Sequence, residues 1–218
     1  YSVQAQGNMA RLDAAIPVQY GYLMAYPDFA AQPYAEYSGN EQYLFQLLAL
    51  GQGYYEIDAI RIEDTPISNF EEIDYEVIEP GGTLSLFPSN VVTSAEVSGQ
   101  ELTYDTWIGP FTANAAGTTA NAIAVDVACP RGLYYANDTG GLSTVSISFT
   151  VEARLIDSGG SPLGSWVAIG SETVSAATNT PQRYSFRFTA LSGRYEVRVK
   201  RTSAAGGSTR YGDDLNWV

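Results

Sequence analysis

Residues 145–155 read Val-Ser-Ile-Ser-Phe-Thr-Val-Glu-Ala-Arg-Leu, the most regular alternation of apolar and polar side chains in the chain. Successive side chains of a β-strand point to opposite faces, so this spacing predicts a strand with one buried face and one face in water. The alternation recurs in residues 123–129, 184–188 and 195–199. Several such strands predict an antiparallel β-sandwich, with Cys129 as a core residue rather than a reactive thiol.

A second informative stretch lies earlier in the chain. Two strand-length runs, 41–50 and 54–63, are separated by Gly51-Gln-Gly53. They predict an antiparallel hairpin, and we expect the rest of the chain to be organised around it. The first run is apolar on both faces apart from Gln46, so we expect both faces to be covered, although a buried helix would also fit. The second run carries four charged residues, as is typical of an edge strand.

The composition is that of a globular β protein, since the 218 residues are 45% hydrophobic and 16% charged. The net charge of −13 is unevenly spread, with −14 on residues 1–110 and +1 on residues 111–218. An anionic chain repels nucleic acid, so we expect no nucleic-acid partner. The strand patterns predict an all-β chain, and the charge asymmetry indicates that it has two parts: an acidic, tyrosine-rich β unit at 1–105 and an antiparallel β-sandwich at 106–218.

The sequence offers few groups for catalysis, because it has no histidine and one cysteine. This excludes Ser-His-Asp and Cys-His catalysis, a zinc site of histidine or cysteine, and an intramolecular disulfide. Acidic clusters remain, which could supply a carboxylate pair for glycoside hydrolysis or oxygen ligands for calcium. The clusters are Glu63-Asp64 and Glu71-Glu72 with Asp74 and Glu76. Without metal-loop spacing we favour a solvated acidic face, and predict no catalytic, cofactor-binding or metal-binding residues.

Basic residues mark the last two predicted strands and share the wet faces of a sheet in this interpretation. They form either a solubilising face or a surface that docks on an acidic neighbour, such as residues 1–110 of the same or an adjacent subunit. They are Arg183, Arg187, Arg194, Arg198 and Lys200. Asp213-Asp214 and Asn137-Asp138 are interpreted as turn residues.

Aromatic residues suggest a second kind of surface. Nine of the 16 tyrosines fall within the first 55 residues, and the three tryptophans are Trp107, Trp166 and Trp217. Such side chains serve protein interfaces or sugar-binding platforms, because they combine apolar area with a polar group. Half-buried strand positions would explain the tyrosines equally well.

No apolar run reaches the roughly 18 to 20 residues that a membrane helix needs, and no signal peptide is visible. We therefore predict no membrane segment. The chain begins at Tyr1 and ends at Trp217-Val218, which leads us to expect a piece of a longer polypeptide.

Two parts of the sequence resemble one family. Leu48-Ala-Leu-Gly-Gln-Gly53, followed by an apolar and acidic strand and Ile60-Arg-Ile-Glu-Asp-Thr-Pro-Ile67, is similar to the opening of the tail-tip attachment protein, or central tail hub, of long-tailed phages. The strand at 145–155, a Trp-bearing return strand, Tyr195-Glu-Val-Arg-Val-Lys-Arg-Thr202 and Trp217 resemble the β-sandwich inserted in these hub proteins. Together the two matches cover most of the chain.

The resemblance implies a structural, non-enzymatic component of a phage or prophage tail tip. It implies a homotrimeric ring in the full-length protein, other phage tail proteins as partners, and a location in the virion after synthesis in the bacterial cytoplasm. We expect the isolated fragment to be monomeric or weakly associated. The main alternative is a carbohydrate-binding β-sandwich module of a larger secreted enzyme or adhesin, and a third is a glycosidase acting through Glu71, Glu72 or Asp74.

Overall fold

The computed structural model describes residues 7–10, 15–88, 90–94, 97 and 99–218. Within these ranges the structure is almost entirely β, with one 3₁₀ turn at Ile67–Asn69. The all-β prediction is therefore confirmed. The strands are β1 Asp28–Phe29, β2 Tyr34–Gly39, β3 Glu41–Phe45, β4 Leu48–Ala49, β5 Arg61–Ile62, β6 Thr65–Pro66, β7 Gln100–Glu101, β8 Trp107–Thr112, β9 Ala120–Cys129, β10 Tyr134–Ala136, β11 Leu142–Ser143, β12 Val145–Leu155, β13 Val167–Ala176, β14 Gln182–Gly193, β15 Tyr195–Arg201, β16 Tyr211–Gly212 and β17 Asn216–Trp217.

The chain forms two compact units. Unit 1 comprises Tyr1–Tyr34 and Leu44–Val91, and unit 2 comprises Ala35–Tyr43 and Val92–Val218. Unit 2 is an antiparallel β-sandwich, in agreement with the sequence. One sheet has the strand order β13-β12-β15-β8 and the other β3-β2-β14-β9-β17-β7, with a small third sheet β11-β10-β16.

Strand β12 shows why the sandwich forms. Its two faces differ as the alternation predicts, because every second side chain enters the core. On the outer face, hydroxyls of β12 pair with those of β13, as in the 2.8 Å contact between Ser148 Oγ and Thr173 Oγ1. The buried residues of β12, each at most 2% exposed, are Ile147, Phe149, Val151 and Ala153.

Strand β9 supplies the facing half of the core. Its inward residues Ile123, Val125, Val127 and Cys129 pack in one cluster with those of β12 and β15. Burial raises the pKa of the Cys129 thiol to about 11, so the thiol stays neutral. Cys129 is thus a core residue, as predicted.

A hairpin of strands β2 and β3, which precedes most of unit 2 in the sequence, forms one edge of the six-stranded sheet. Strands β2 and β3 meet at Gly39, whose φ of 66° is the left-handed conformation that a tight turn needs. Strand β2 then pairs with β14, with Gly39 opposite Arg183. Tyr37 donates its backbone N–H to Ser185 Oγ at 3.0 Å, and the Arg183 guanidinium lies 4.1 Å from the centroid of the Tyr37 ring.

Unit 1 has short strands and little core. Its strand pairs are β1 with β4 and β5 with β6, each two residues long. Among the described residues of this unit, Phe87 is the one buried hydrophobic side chain. Tyr34 stacks on Phe45 at 4.7 Å and meets Phe87 edge-on at 5.4 Å between ring centroids.

The predicted hairpin of 41–50 with 54–63 is wrong. Strand β3 pairs back with β2, and β4 pairs with β1 rather than with the later run. The turn at Gly39 joins β2 directly to β3, so these two strands pair with each other. The pairing of β2 with β14 stabilises this hairpin. The two-sided burial expected for 41–50 is also wrong, because Tyr43, Leu44 and Leu48 are 52%, 60% and 41% exposed.

Among the described residues, no helix is long and apolar enough to cross a membrane.

Candidate functional site

The outer face of the four-stranded sheet gathers two of the three tryptophans and three cations. Trp107 lies on β8 opposite Lys200 of β15. Arg154 of β12 and Arg198 of β15 lie on neighbouring strands with side chains on the same face. Trp166 immediately precedes β13, so its indole comes from a loop. The strand registers therefore place all five side chains together.

These side chains stack in alternation. The Arg198 guanidinium carbon lies 4.2 Å from the Trp107 ring centroid and 4.3 Å from that of Trp166. Arg154 covers Trp166 at 4.5 Å, and Lys200 Nζ covers Trp107 at 4.9 Å. Trp166 thus has two guanidinium groups within 4.5 Å of its ring centroid, and Trp107 has two cations within 4.9 Å of its own. The order is Arg154, Trp166, Arg198, Trp107, Lys200, which we call the cation–indole stack.

Each cation of the stack also pairs with a carboxylate. Arg198 Nη2 lies 2.5 Å from Glu152 Oε2, and Lys200 Nζ lies 2.8 Å from Asp105 Oδ1. A cation held by both a ring face and a carboxylate has little freedom left, and each cation–π contact contributes about 0.5 to 2 kcal/mol. The stack therefore fixes the loop that carries Trp166 to the sheet. The third pair is Arg154–Glu196.

The tryptophans do not form the sugar-binding platform that the alternative interpretation needs. Trp217 is 5% exposed and packs edge-on against Phe111 at 5.3 Å. Trp166 and Trp107 each already have two cations within 4.9 Å of the ring centroid, which occupy the space that a stacked sugar would need. A sugar ring stacks on a free aromatic face, so the tryptophan argument for a carbohydrate-binding module is not supported.

We expect Arg198→Ala to lower the free energy of unfolding by about 2 kcal/mol, because it removes two cation–π contacts and one ion pair at once. Tryptophan emission should shift to longer wavelength as both rings gain water. Urea denaturation and fluorescence spectra measure the two effects. The matched control is Arg187→Ala, an exposed arginine on β14, which should change stability by less than about 0.5 kcal/mol. Equal losses for the two variants would show that the stack contributes nothing.

The basic residues predicted to share the face of one sheet are divided between two. Arg183 and Arg187 lie on β14 of the six-stranded sheet, and Arg198 and Lys200 lie on β15 of the four-stranded sheet. Arg194 lies between these strands and donates to the backbone carbonyls of Asn114, Asp157 and Ser158. The single basic face is therefore wrong, because β14 and β15 belong to different layers.

Acidic residues in unit 1 sit in turns. Glu63 has φ of 53° in the turn between β5 and β6. Glu71 and Glu72 line a shallow depression with Asn69, Phe70 and Ile73. Among the described residues, no group of three or more His, Cys, Asp or Glu side chains is placed to hold a metal ion.

Glu76 has a defined role in its loop. Its carboxylate accepts hydrogen bonds from Ser85 Oγ at 2.5 Å, from Ser85 N at 2.8 Å and from Leu86 N at 2.9 Å. The Ser85 hydroxyl, with the backbone N–H groups of Leu86 and Ser85, lowers the pKa of Glu76 below its ordinary value. The carboxylate thus holds residues 85–86 against residue 76.

The pKa of Glu76 should rise toward the ordinary glutamate value in the Ser85→Ala variant, because the largest cause of its lowering is then absent. In the wild type the contact is present above the ordinary pKa and is lost as pH falls through the lowered value of the folded state. An NMR titration of the Glu76 side-chain carbon gives the midpoint. Thr83→Ala, which removes a nearby hydroxyl, should leave it unchanged; the same midpoint in wild type and Ser85→Ala would contradict the assignment.

Sequence reasoning missed a buried ion pair. Arg201 and Asp213 are 4% and 8% exposed, and Arg201 Nη2 lies 2.7 Å from Asp213 Oδ2. Arg201 also donates to the carbonyls of Asp213 at 2.6 Å and Ser203 at 2.9 Å, and Gly206 N donates to Asp213 Oδ2 at 2.8 Å. The pair ties the loop 202–210, which lies between β15 and β16, to the end of β15. The sequence did indicate that Arg201 is buried, because it continues the alternation of inward-facing residues at 195, 197 and 199.

Asp213 is thus more than a turn residue, which corrects the turn interpretation. Its neighbour Asp214 pairs with the exposed Arg131, and Asn137-Asp138 does lie in the turn between β10 and β11.

The two sheets, the shared core and the ion pairs on the outer face define an antiparallel β-sandwich domain. Residues 92–218 match the family described as Tip attachment protein J, FNIII-A domain. The chain belongs to this family of phage tail attachment proteins. No curated protein matches the chain.

Proposed function

We propose that this chain is a structural part of the central hub at the tip of a phage or prophage tail and that it works without catalysis. The family match over residues 92–218 supports a tail attachment role. The charges of the sandwich are largely paired within it, as suits a structural component. Within the full polypeptide, we propose residues 1–105 as the hub-like unit and residues 106–218 as the inserted sandwich.

The main support for a role within an assembly is the exposed apolar surface of unit 1. Tyr20, Tyr22 and Met24 are 87%, 92% and 73% exposed, whereas Phe87 is the one buried hydrophobic side chain among the described residues of the unit. Apolar patches of this kind mark interaction sites in proteins of known structure. The unit therefore has the surface of a component that is covered in an assembly.

We propose that the full-length protein is a homotrimer whose partners are other phage tail proteins, with no nucleic acid among them, and that it resides at the virion tail tip after synthesis in the bacterial cytoplasm. The fragment alone is monomeric or weakly associated, because copies with a net charge of −13 repel each other. Ring closure through Arg198, one of the basic groups considered for it, is disfavoured because Arg198 is already paired with Glu152.

Light scattering on the full-length chain and on residues 1–218, at low and high salt, tests the assembly. The full-length chain should have the mass of a trimer, and the fragment that of a monomer. Immunogold labelling of purified tails should place the chain at the tip. A full-length chain that stays monomeric, or labelling along the tail tube, would contradict the proposal.

A further inference from the structure

One segment of unit 1 is uncharged and strongly exposed. Residues 15–27 read Ala-Ile-Pro-Val-Gln-Tyr-Gly-Tyr-Leu-Met-Ala-Tyr-Pro, and we call them the tyrosine segment. In addition to the side chains named above, Leu23 and Tyr26 are 50% and 45% exposed. Tyrosine and methionine are enriched in protein interfaces, where they supply apolar area with modest polarity.

The tyrosine segment is held at its base. Gln52 N donates to the Pro17 carbonyl at 2.9 Å, and Gln19 Nε2 donates to the Leu50 carbonyl at 2.6 Å. The Gln19 backbone N–H donates to Tyr55 Oη at 3.3 Å. The exposed rings therefore project from an anchored backbone, which reduces the entropy lost when a partner covers them.

Charge disfavours a second copy of this chain as the partner. Unit 1 contains eleven acidic and two basic residues, a net charge of −9, and unit 2 carries the remaining −4. A second copy would bring a unit of net negative charge against the negatively charged unit 1, whichever of its two units it presented. Like charges placed across an interface oppose binding.

Eight of the nine cations of unit 2 already have partners within the unit, and the ninth is the exposed Arg187. Arg194 donates to three backbone carbonyls. Seven more cations of this unit pair with carboxylates of the same unit, so a second copy has little positive charge to offer. The seven pairs are Arg131–Asp214, Arg154–Glu196, Arg183–Asp126, Arg198–Glu152, Lys200–Asp105, Arg201–Asp213 and Arg210–Asp138.

We propose that the tyrosine segment docks on a lysine- or arginine-rich surface of a different tail polypeptide, and not on a second copy of this chain. The rings supply the apolar contact, and the net charge of −9 on unit 1 supplies the charge complementarity. This inference rests on the proposed tail-tip role, because it takes the partner from the assembled tail.

Photo-cross-linking in assembled tails tests the proposal. The full-length chain carries p-benzoylphenylalanine in place of Tyr22, and in a second variant in place of Tyr20; the tails are irradiated and the adducts sequenced by mass spectrometry. The expected adduct joins the chain to another tail polypeptide through a peptide rich in lysine or arginine. An adduct between two copies would overturn the inference while leaving the homotrimer intact. A partner peptide without excess basic residues, or no adduct from either position, would also overturn it.

Binding of the purified full-length chain to the partner so identified gives a second readout. Tyr22→Ser should weaken binding by about ten-fold or more, as expected for an aromatic residue at the centre of an interface. The matched control is Leu191→Ser, since Leu191 is 81% exposed on unit 2, and it should leave the affinity unchanged. Binding should also weaken as salt rises, because the carboxylates contribute by charge. Equal losses for the two variants, or affinity independent of salt, would contradict the proposal.

Discussion

The Phe149→Ala variant should lose about 3 to 5 kcal/mol of unfolding free energy, the usual cost of a large cavity in a close-packed core. Phe149 is fully buried at the middle of β12, and its ring meets Phe186 edge-on at 5.4 Å between centroids. Strands β13 and β15 flank it on both sides, so the surrounding backbone cannot collapse into the space. Because small domains are stable by about 5 to 15 kcal/mol, urea denaturation should show a large shift in midpoint.

The neighbouring residue provides the control. Ser148 lies on the opposite face of the same strand, where its hydroxyl pairs with Thr173. Ser148→Ala removes one solvent-accessible hydrogen bond and should cost less than about 1 kcal/mol. Similar losses at positions 148 and 149 would mean that the faces of β12 have been assigned wrongly.

The second large effect is expected at the buried ion pair. Asp213→Ala should lower the free energy of unfolding by about 3 to 5 kcal/mol, because it leaves the Arg201 guanidinium buried without its carboxylate. The loop 202–210 should also loosen, since Gly206 N loses the carboxylate as acceptor. Urea denaturation gives the stability, and hydrogen exchange at Gly206 reports on the loop.

Asp214→Ala is the matched control one residue away. Asp214 pairs with Arg131, whose side chain is 64% exposed, and exposed pairs contribute about 0 to 1 kcal/mol. The double variant Arg201→Met with Asp213→Leu should recover part of the loss, because no unpaired charge then remains buried. A cost at position 213 no larger than that at position 214 would argue against the ion pair as a stabilising element.

The sandwich could be predicted because its strands are long and two-faced. In β12 and β15, seven or more residues alternate without interruption, so only one register buries the apolar face. Position 149 is therefore identifiable as core from its neighbours alone. The same rule marked Cys129 as buried.

The strand pairing of residues 41–63 could not be predicted, and the expected hairpin was wrong, because this region lacks such a pattern. Tyr43 and Leu44 point to opposite faces and are both exposed, so the apolar residues there do not mark a buried face. Strand β3 pairs with β2, and β2 in turn pairs with β14 at Arg183 and Tyr184. A contact that distant in sequence leaves no local signal.

The candidate site was only partly accessible from the sequence. Arg198 and Lys200 were recognised as outward-facing, because they alternate with buried valines. Trp166 lies in a loop with no periodicity, so nothing in the sequence places it between two arginines. The buried position of Arg201 follows from the alternation, but its partner Asp213 lies across a glycine- and serine-rich loop whose path the sequence does not define.

The docking of β2 on β14 has a consequence for synthesis on the ribosome. Tyr37 hydrogen-bonds to Ser185, 148 residues later, so the larger sheet cannot be completed until that residue has emerged. At about 5 to 20 residues per second, the β2–β3 hairpin waits roughly 7 to 30 seconds with one strand edge unpaired. Nascent chains stalled before β14 should therefore present a free strand edge to chaperones and to each other.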